Sequence, residues 1–415
     1  MITLYKTILE NKNIRYYLLA GGISRLGDIL SGMAFLFLTY DLTGSSLHTT
    51  GMAMAESFPY LLFGLIGGVM ADWLPKKKWL IYLDIARIPL ISSIVLLYYF
   101  DMLTYIYLLI VSFLIQSIGC FFNPAHRSIL PAITRERERT AANSINDTLT
   151  RGVTVISPVL SVWLLNSFGA VHFFTVDAFT YAISALFIYQ VDLKEPKNTA
   201  TKSIKAVYVT IAEFIEWVKA HRTIRQLFLF TFITVFFNTW VWQVGMLLAL
   251  TEMSSQSEEL YSMLQGVFGG VVIITNLLLP YFIKKMTLRH YLIGALIWGT
   301  GILYYGLLYD IPHFFIGAAI VGVGLPIAGL ARVYLLQTLV PEEKLGRAFS
   351  SNAVLLYFSN TISLGLYGLL VLIIPIKVLM ISSGLFIIIS STGALLFKPI
   401  KASKFTRRFT VHFLK

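Results

Sequence analysis

Seven ionisable side chains stand inside long apolar stretches of this chain: Arg25, Asp28, Glu56, Asp84, Arg87, Arg151 and Asp177. A charge at the centre of a membrane helix costs about 2.5–3.5 kcal/mol on insertion scales, so such residues usually have a job or a partner. A carboxyl moved out of water holds its proton more readily. An acid exposed by turns to the two sides of a membrane is therefore a proton carrier.

Each position has two readings. Asp28 lies near the middle of its stretch with Arg25 one helical turn before it, so the two can pair on one face. The pair is either a proton or substrate site, or a fixed ion pair in which Arg25 keeps Asp28 ionised. Glu56 has no opposite charge three or four residues away. It is the first candidate for proton coupling, with Asp28 the second, and its alternative is a hydrogen-bonded core carboxyl. Asp84 and Arg87 repeat the one-turn spacing near a span end, where a pair can snorkel and fix packing. Arg151 either meets an anionic substrate or pairs with Asp147, four residues earlier. Asp177, about two turns from the outer end of its span, reads equally as a gate or a satisfied carboxylate. Arg25, Asp28, Glu56, Arg151 and Asp177 form the expected lining of a substrate cavity.

The elements that must hold these residues follow from composition. Of 415 residues, 57% are hydrophobic and only 13% charged, against about 25% charged in a soluble domain. Mean hydropathy is +0.74. Twelve spans of roughly 20 residues need about 240 apolar positions, close to the number present. Closed barrels alternate apolar and polar residues, whereas the runs here are unbroken. The expected fold is all-α, with spans at 16–40, 47–71, 79–100, 105–124, 143–166, 170–191, 227–250, 259–283, 290–309, 313–336, 350–373 and 377–397. Turn chemistry separates them, as at Thr43-Gly44-Ser45, Leu74-Pro75 and Asp310 to Pro312.

Of 33 lysines and arginines, 29 fall on alternate loops and hence on one face, Arg127 and Arg332 among them. The positive-inside rule makes that face, with both termini, cytoplasmic. The net charge of +12 then reflects topology and contact with anionic lipid, and implies no nucleic acid. Residues 1–191 and 227–415 form two six-helix bundles around a linker, 192–226, whose apolar spacing from Ile204 to Lys219 fits an amphipathic helix on the inner membrane surface. The lone cysteine, Cys120, excludes a disulfide framework. The seven histidines lack metal-ligand spacing, and neither a phosphate loop nor a nucleophile arrangement is found. The expectation is no cofactor, no bound metal and no enzyme activity.

The loop after the second span reads Gly67-Gly68-Val69-Met70-Ala71-Asp72-Trp73-Leu74-Pro75-Lys76-Lys77-Lys78. It resembles the loop signature of the major facilitator superfamily at Gly68, Asp72, Lys76 and Lys77, with Trp73 and Pro75 as departures. Ile23 to Asp28, Tyr40 to Ser45, Phe122 to Pro131 and Val176 to Tyr181 look like the macrolide-efflux and enterobactin-exporter branch. The carboxy-terminal half is similar mainly in pattern, through Val340 to Arg347. The resemblance implies twelve spans, alternating access and proton-driven export of drugs or metal chelators. It also implies a gate latch at Asp72 and Lys76, where a carboxylate can rest against a helix amino terminus of the other half. Two departures stand: Gln116 and Ile115 occupy the region of the fourth-span arginine, and Ser157-Pro158 replaces a Gly-Pro. Pro158, Gly269, Gly270, Gly324 and Pro326 read as packing or bending positions. The expected partners are a small-molecule substrate, protons and membrane lipid. The expected state is a monomeric, multi-pass protein of the cell membrane, with a macrolide-type multidrug efflux pump or a lipid flippase on the same fold as alternatives.

Overall fold

The computed structural model describes residues 2–193 and 203–396, so the polar run at Lys194 to Asn198 and the basic tail from Lys398 lie outside the described residues. Among those described there are helices and no strands. A short α1 (Ile2–Glu10) precedes six long helices: α2 (Lys12–Thr43), α3 (Ser46–Trp73), α4 (Lys76–Tyr99), α5 (Tyr105–Ile133), α6 (Arg139–Phe168) and α7 (His172–Gln190). After α8 (Ile204–Ala220) come α9 (Arg222–Trp240), a π-helical turn (Val241–Gly245) and α10 (Met246–Met253), which together make one span. Then follow α11 (Ser257–Phe282), α12 (Leu288–Leu307), α13 (Ile311–Leu339), α14 (Leu345–Leu370) and α15 (Ile376–Leu396).

Eleven of these rods are long and apolar enough to cross a membrane. The twelfth, α12, is less apolar because it carries Arg289, His290 and four glycines. Those glycines let neighbours in: Gly294 lies against Gly324 and Ala328 of α13, and Gly306 against Ile381 of α15. The chain is a multi-pass membrane protein of two six-helix sets.

Local chemistry sets the turns. Gly44 closes α2 in the left-handed region at φ 60°, which favours glycine. Ser45, Thr104, Thr287 and Asp310 then cap the following helices with their side-chain oxygens.

One expectation is corrected. The fourth span does not end at residue 124: α5 runs through Pro124 and Pro131 to Ile133, and Ser128 donates to the Pro124 carbonyl at 2.6 Å. Arg127 is therefore a residue of the rod and not of the loop. The linker helix α8 buries Phe214 and packs on α3 and α9.

In the first set α2 packs on α7, α3 on α5, and α4 on α7; in the second α12 joins α13 and α15, and α9 joins α14. The cores differ. The second set has one continuous apolar core around Trp240, Tyr305 and Phe314. The first has two, one around Tyr17, Leu80 and Ile188 and the other around Phe35, Ile91 and Phe174. Between them lies a polar layer.

Candidate functional site

That polar layer joins α2, α4 and α7. A side chain at Gly27 would strike Asp177 and Thr180, so the glycine is what lets α2 approach α7. The Tyr181 hydroxyl donates to Asp28 Oδ1 at 2.9 Å. The Arg87 guanidinium lies 5.0 Å from the Tyr181 ring centre and 4.8 Å from that of Phe122, a geometry that stabilises a desolvated cation. It reaches Asp84 at 3.5 Å, and Ser184 donates to the other Asp84 oxygen at 2.8 Å. Thr180 donates to the Asp177 carbonyl at 2.8 Å and faces its Oδ1 at 3.1 Å. Asp177 is fully buried and its Oδ2 has no partner. A buried carboxylate so poorly satisfied is costly to hold in place.

The structure therefore redistributes the candidates. Asp28 and Asp177 are brought together. Arg25 does not pair with Asp28: among the described residues no ion pair joins them, Arg25 is exposed, and Tyr181 takes the carboxylate. Asp84 and Arg87 are not shallow: they are 0% and 3% exposed, and Arg87 stands at the middle of α4. Arg151 takes the partner available on its own helix, Asp147, at 2.7 Å. The Glu56 side chain lies outside the described residues.

At the end carrying the basic loops, the two sets are closed on each other. Asp72, at the end of α3, accepts from the Gly346 amide at 2.6 Å, the Arg347 amide at 3.2 Å and Arg347 Nε at 2.8 Å. This seats a carboxylate on the amino terminus of α14, where the helix dipole favours it. Gly68 and Gly346 allow the approach, since a side chain at either would meet the other helix. Arg347 also donates to the Thr210 carbonyl of α8 at 3.3 Å and to its own Glu343 carbonyl at 2.7 Å. Lys76 is buried nearby, and Lys77 lies over the Tyr189 ring at 5.3 Å.

Across the same end, Asn143 donates to Gln337 Oε1 at 2.6 Å, Ser144 donates to the Asn276 carbonyl, and Arg139 donates to the Gln337 carbonyl at 3.0 Å. Midway along, Tyr60 and Tyr357, one from each set, stack at 4.4 Å. The hydrogen bonds named here between the sets lie on this basic side.

Of the bending positions, Gly324 contacts Trp298 and Gly294 as a packing glycine should. Gly269 and Gly270 do not: a side chain at Gly270 would meet open space, and at Gly269 only Val155 at 3.9 Å. Pro158 and Pro326 lie inside α6 and α13. Sequence reading missed Tyr181, Ser184 and the Tyr60–Tyr357 stack, because neutral polar residues in a span carry no charge signal. It also missed the π turn, where the Trp240 amide donates to Ser363 Oγ at 3.1 Å and a side chain at Gly245 would strike the Trp240 ring.

Known proteins fit this geometry. A family model for the Major Facilitator Superfamily matches residues 17–286. Macrolide efflux protein A of Streptococcus pyogenes is 26% identical over 170 residues, 39% of this chain and 42% of that protein. The chain thus matches under half the length of the curated relatives. A bacterial homologue of the iron transporter ferroportin, in an outward-facing state, superposes with TM-score 0.71 at 13% identity over 92% of this chain and 98% of its own. The Escherichia coli fucose:proton symporter superposes with TM-score 0.70 at 14% identity over 92% and 99%. Those likenesses establish the fold, and the family match establishes membership. The chain belongs to the Major Facilitator Superfamily, whose members are transporters.

Proposed function

We propose, with that membership as premise, that this chain is a proton-coupled exporter of a small amphipathic molecule, working by alternating access. The observation that carries the reading is one-sided closure. Two helical sets are clamped through Asp72, Asn143 and Ser144 at the basic end, while the described hydrogen bonds leave the opposite end unclamped. With the basic face cytoplasmic, this is an outward-open state. The sets, 1–191 and 227–415, rock about the mid-membrane region, and 192–226 tethers them.

Coupling belongs to the first set. Its apolar core is split by Asp28, Asp84, Arg87 and Asp177, whereas the second set's core is continuous. Asp177 with its unpartnered oxygen, Asp28 beside it and Glu56 on α3 are the proton-carrying groups. Release of the clamp exposes them to the other side.

Uptake into inside-out vesicles under an imposed proton gradient tests this, with a panel of siderophores, opine-type chelators and macrolides. Gradient-driven accumulation is expected for one class, abolished by Glu56→Gln or Asp177→Asn with insertion intact. Undiminished uphill transport by both variants overturns the coupling assignment. Export of a macrolide alone would favour the drug-efflux reading that the Streptococcus relative suggests. Lipid scrambling in its place would favour a flippase.

A further inference from the structure

The geometry points to a binding site for a carboxylate-bearing cargo, built by Arg25, Arg127, Arg151 and Arg332 from four helices between the two sets. This rests on the transporter reading and on neither its direction nor its coupling ion. Because α5 continues to Ile133, Arg127 lies about two turns inside the rod. Arg127 and Asn123, one turn apart, are exposed while Pro124, Ala125, His126 and Ser128 are buried, so this stripe of α5 faces open space. Arg332 likewise lies about two turns inside α13, in the opposite set. Its Nε is enclosed and has no hydrogen-bond partner.

The rods that carry them converge: α13 packs on α5 and α6, α2 packs on both of those, and α14 packs on α5. At about 1.5 Å per residue, Arg127 and Arg332 stand some 10 Å above the closed basic end. Arg25 and Arg151 stand about as deep as the Tyr60–Tyr357 stack. Room exists beside them, since a side chain added at Gly22 or Gly152 meets nothing within 4 Å.

The charge there does not balance. Asp147 is the described carboxylate in this cluster, and it already accepts from Arg151 at 2.7 Å and Asn276 at 2.6 Å. Asp28 is held by Tyr181, Asp84 and Asp177 are buried within the first set, and Glu136 pairs with Lys285 at the basic face. Counting Glu56 as well still leaves two of the four guanidinium groups uncompensated. Like charges that share a space without counter-ions repel, and enclosing the Arg332 Nε without a partner adds to that cost. An entering anion relieves both. Guanidinium forks match carboxylates two bonds at a time, so a polycarboxylate can bridge the two sets. A macrolide, whose basic amine is a cation at neutral pH, meets repulsion at the same place.

Binding to the purified full-length protein in lipid nanodiscs, without any gradient, tests this through intrinsic tryptophan fluorescence with citrate, EDTA and erythromycin as probes. Saturable binding of citrate or EDTA is expected, weakened at least tenfold in Arg127→Gln and in Arg332→Gln and weakened by added salt. Arg332→Lys should fall between. Arg25→Gln is a second variant on an exposed side chain that folding does not need. No binding of either polyanion by the wild type, or equal binding by all three glutamine variants, overturns the site. So does erythromycin binding that the glutamine variants leave unchanged or strengthen in the absence of polyanion binding. Polyanion binding without gradient-driven export would overturn the coupling assignment and leave this site standing.

Discussion

Two corners of the closed end do the same mechanical job with different chemistry. Where α3 meets α14, a carboxylate from the first set is buried with the Arg347 side chain, 0% and 9% exposed, and takes two backbone amides as well. Where α11 meets α6, the polarity is the same but the pair is wet: Lys285 reaches Glu136 at 2.8 Å with both side chains about half exposed. The rest of that corner is neutral, with Thr140 donating to the Lys284 carbonyl at 2.9 Å. Desolvation separates the two. An exposed pair contributes about 0–1 kcal/mol, whereas removing one partner of a buried pair costs about 3–5 kcal/mol because the other charge is stranded. Closure at this end is therefore concentrated at the Asp72 corner, and α8 reinforces it through the Thr210 carbonyl.

The largest effect is expected from Asp72→Asn. It strands Arg347, and transport should fall more than tenfold as the basic end opens. Double electron–electron resonance between labels on the two sets at that end checks it; unchanged distances would show that Asp72 does not hold the closure. The double variant Asp72→Asn with Arg347→Gln should recover part of the closed population, because neither member of the pair is then left stranded.

A smaller effect is expected from Arg139→Gln. Arg139 donates to the Gln337 carbonyl and to Thr338 at the carboxy terminus of α13, where a cation is favoured by about 0.3–1 kcal/mol. The same distance measurement should show a few-fold loss of the closed state. A shift as large as that of Asp72→Asn would erase the proposed asymmetry.

The smallest belongs to Lys285→Ala, within twofold at low salt and nothing at 0.5 M, where exposed pairs are screened. Its pH dependence has a definite sign. The Lys285 ammonium holds the Glu136 carboxyl below its usual range, and the carboxylate holds the ammonium above its own. The acid's share is present above the ordinary glutamate value and is lost as pH falls through its lowered one. The lysine's share is present below the ordinary lysine value and is lost as pH rises through its raised one. Between them the pair is constant. A Lys285-dependent change in gating between pH 6 and 8 would mean that it titrates in a way this geometry does not allow.

Much of the frame was legible in the chain itself. Unbroken apolar runs force backbone hydrogen bonds to close within each segment, so helices, their number and their turns follow from composition and punctuation. A latch of Asp72 against a helix amino terminus of the other half was implied by the resemblance of the Gly68 to Lys77 loop, and not by residue spacing. Partner choice was not. Arg25 is one turn from Asp28, yet Tyr181, 153 residues away, takes the carboxylate, because Gly27 draws α7 against that face of α2. Arg127 looked like a loop charge because the apolar run ends at residue 124. A helix packed on several sides can nonetheless carry a proline, because tertiary packing outweighs the one backbone hydrogen bond that the ring removes.

Sequence alone determined that this protein is a set of lipid-embedded rods with its buried acids gathered in the first six. Apolar solvent leaves the backbone no other way to satisfy itself. Only the tertiary structure decided which charges neutralise one another and which face empty space. That choice depends on a few ångströms of approach between helices far apart in the chain, and no local spacing encodes it.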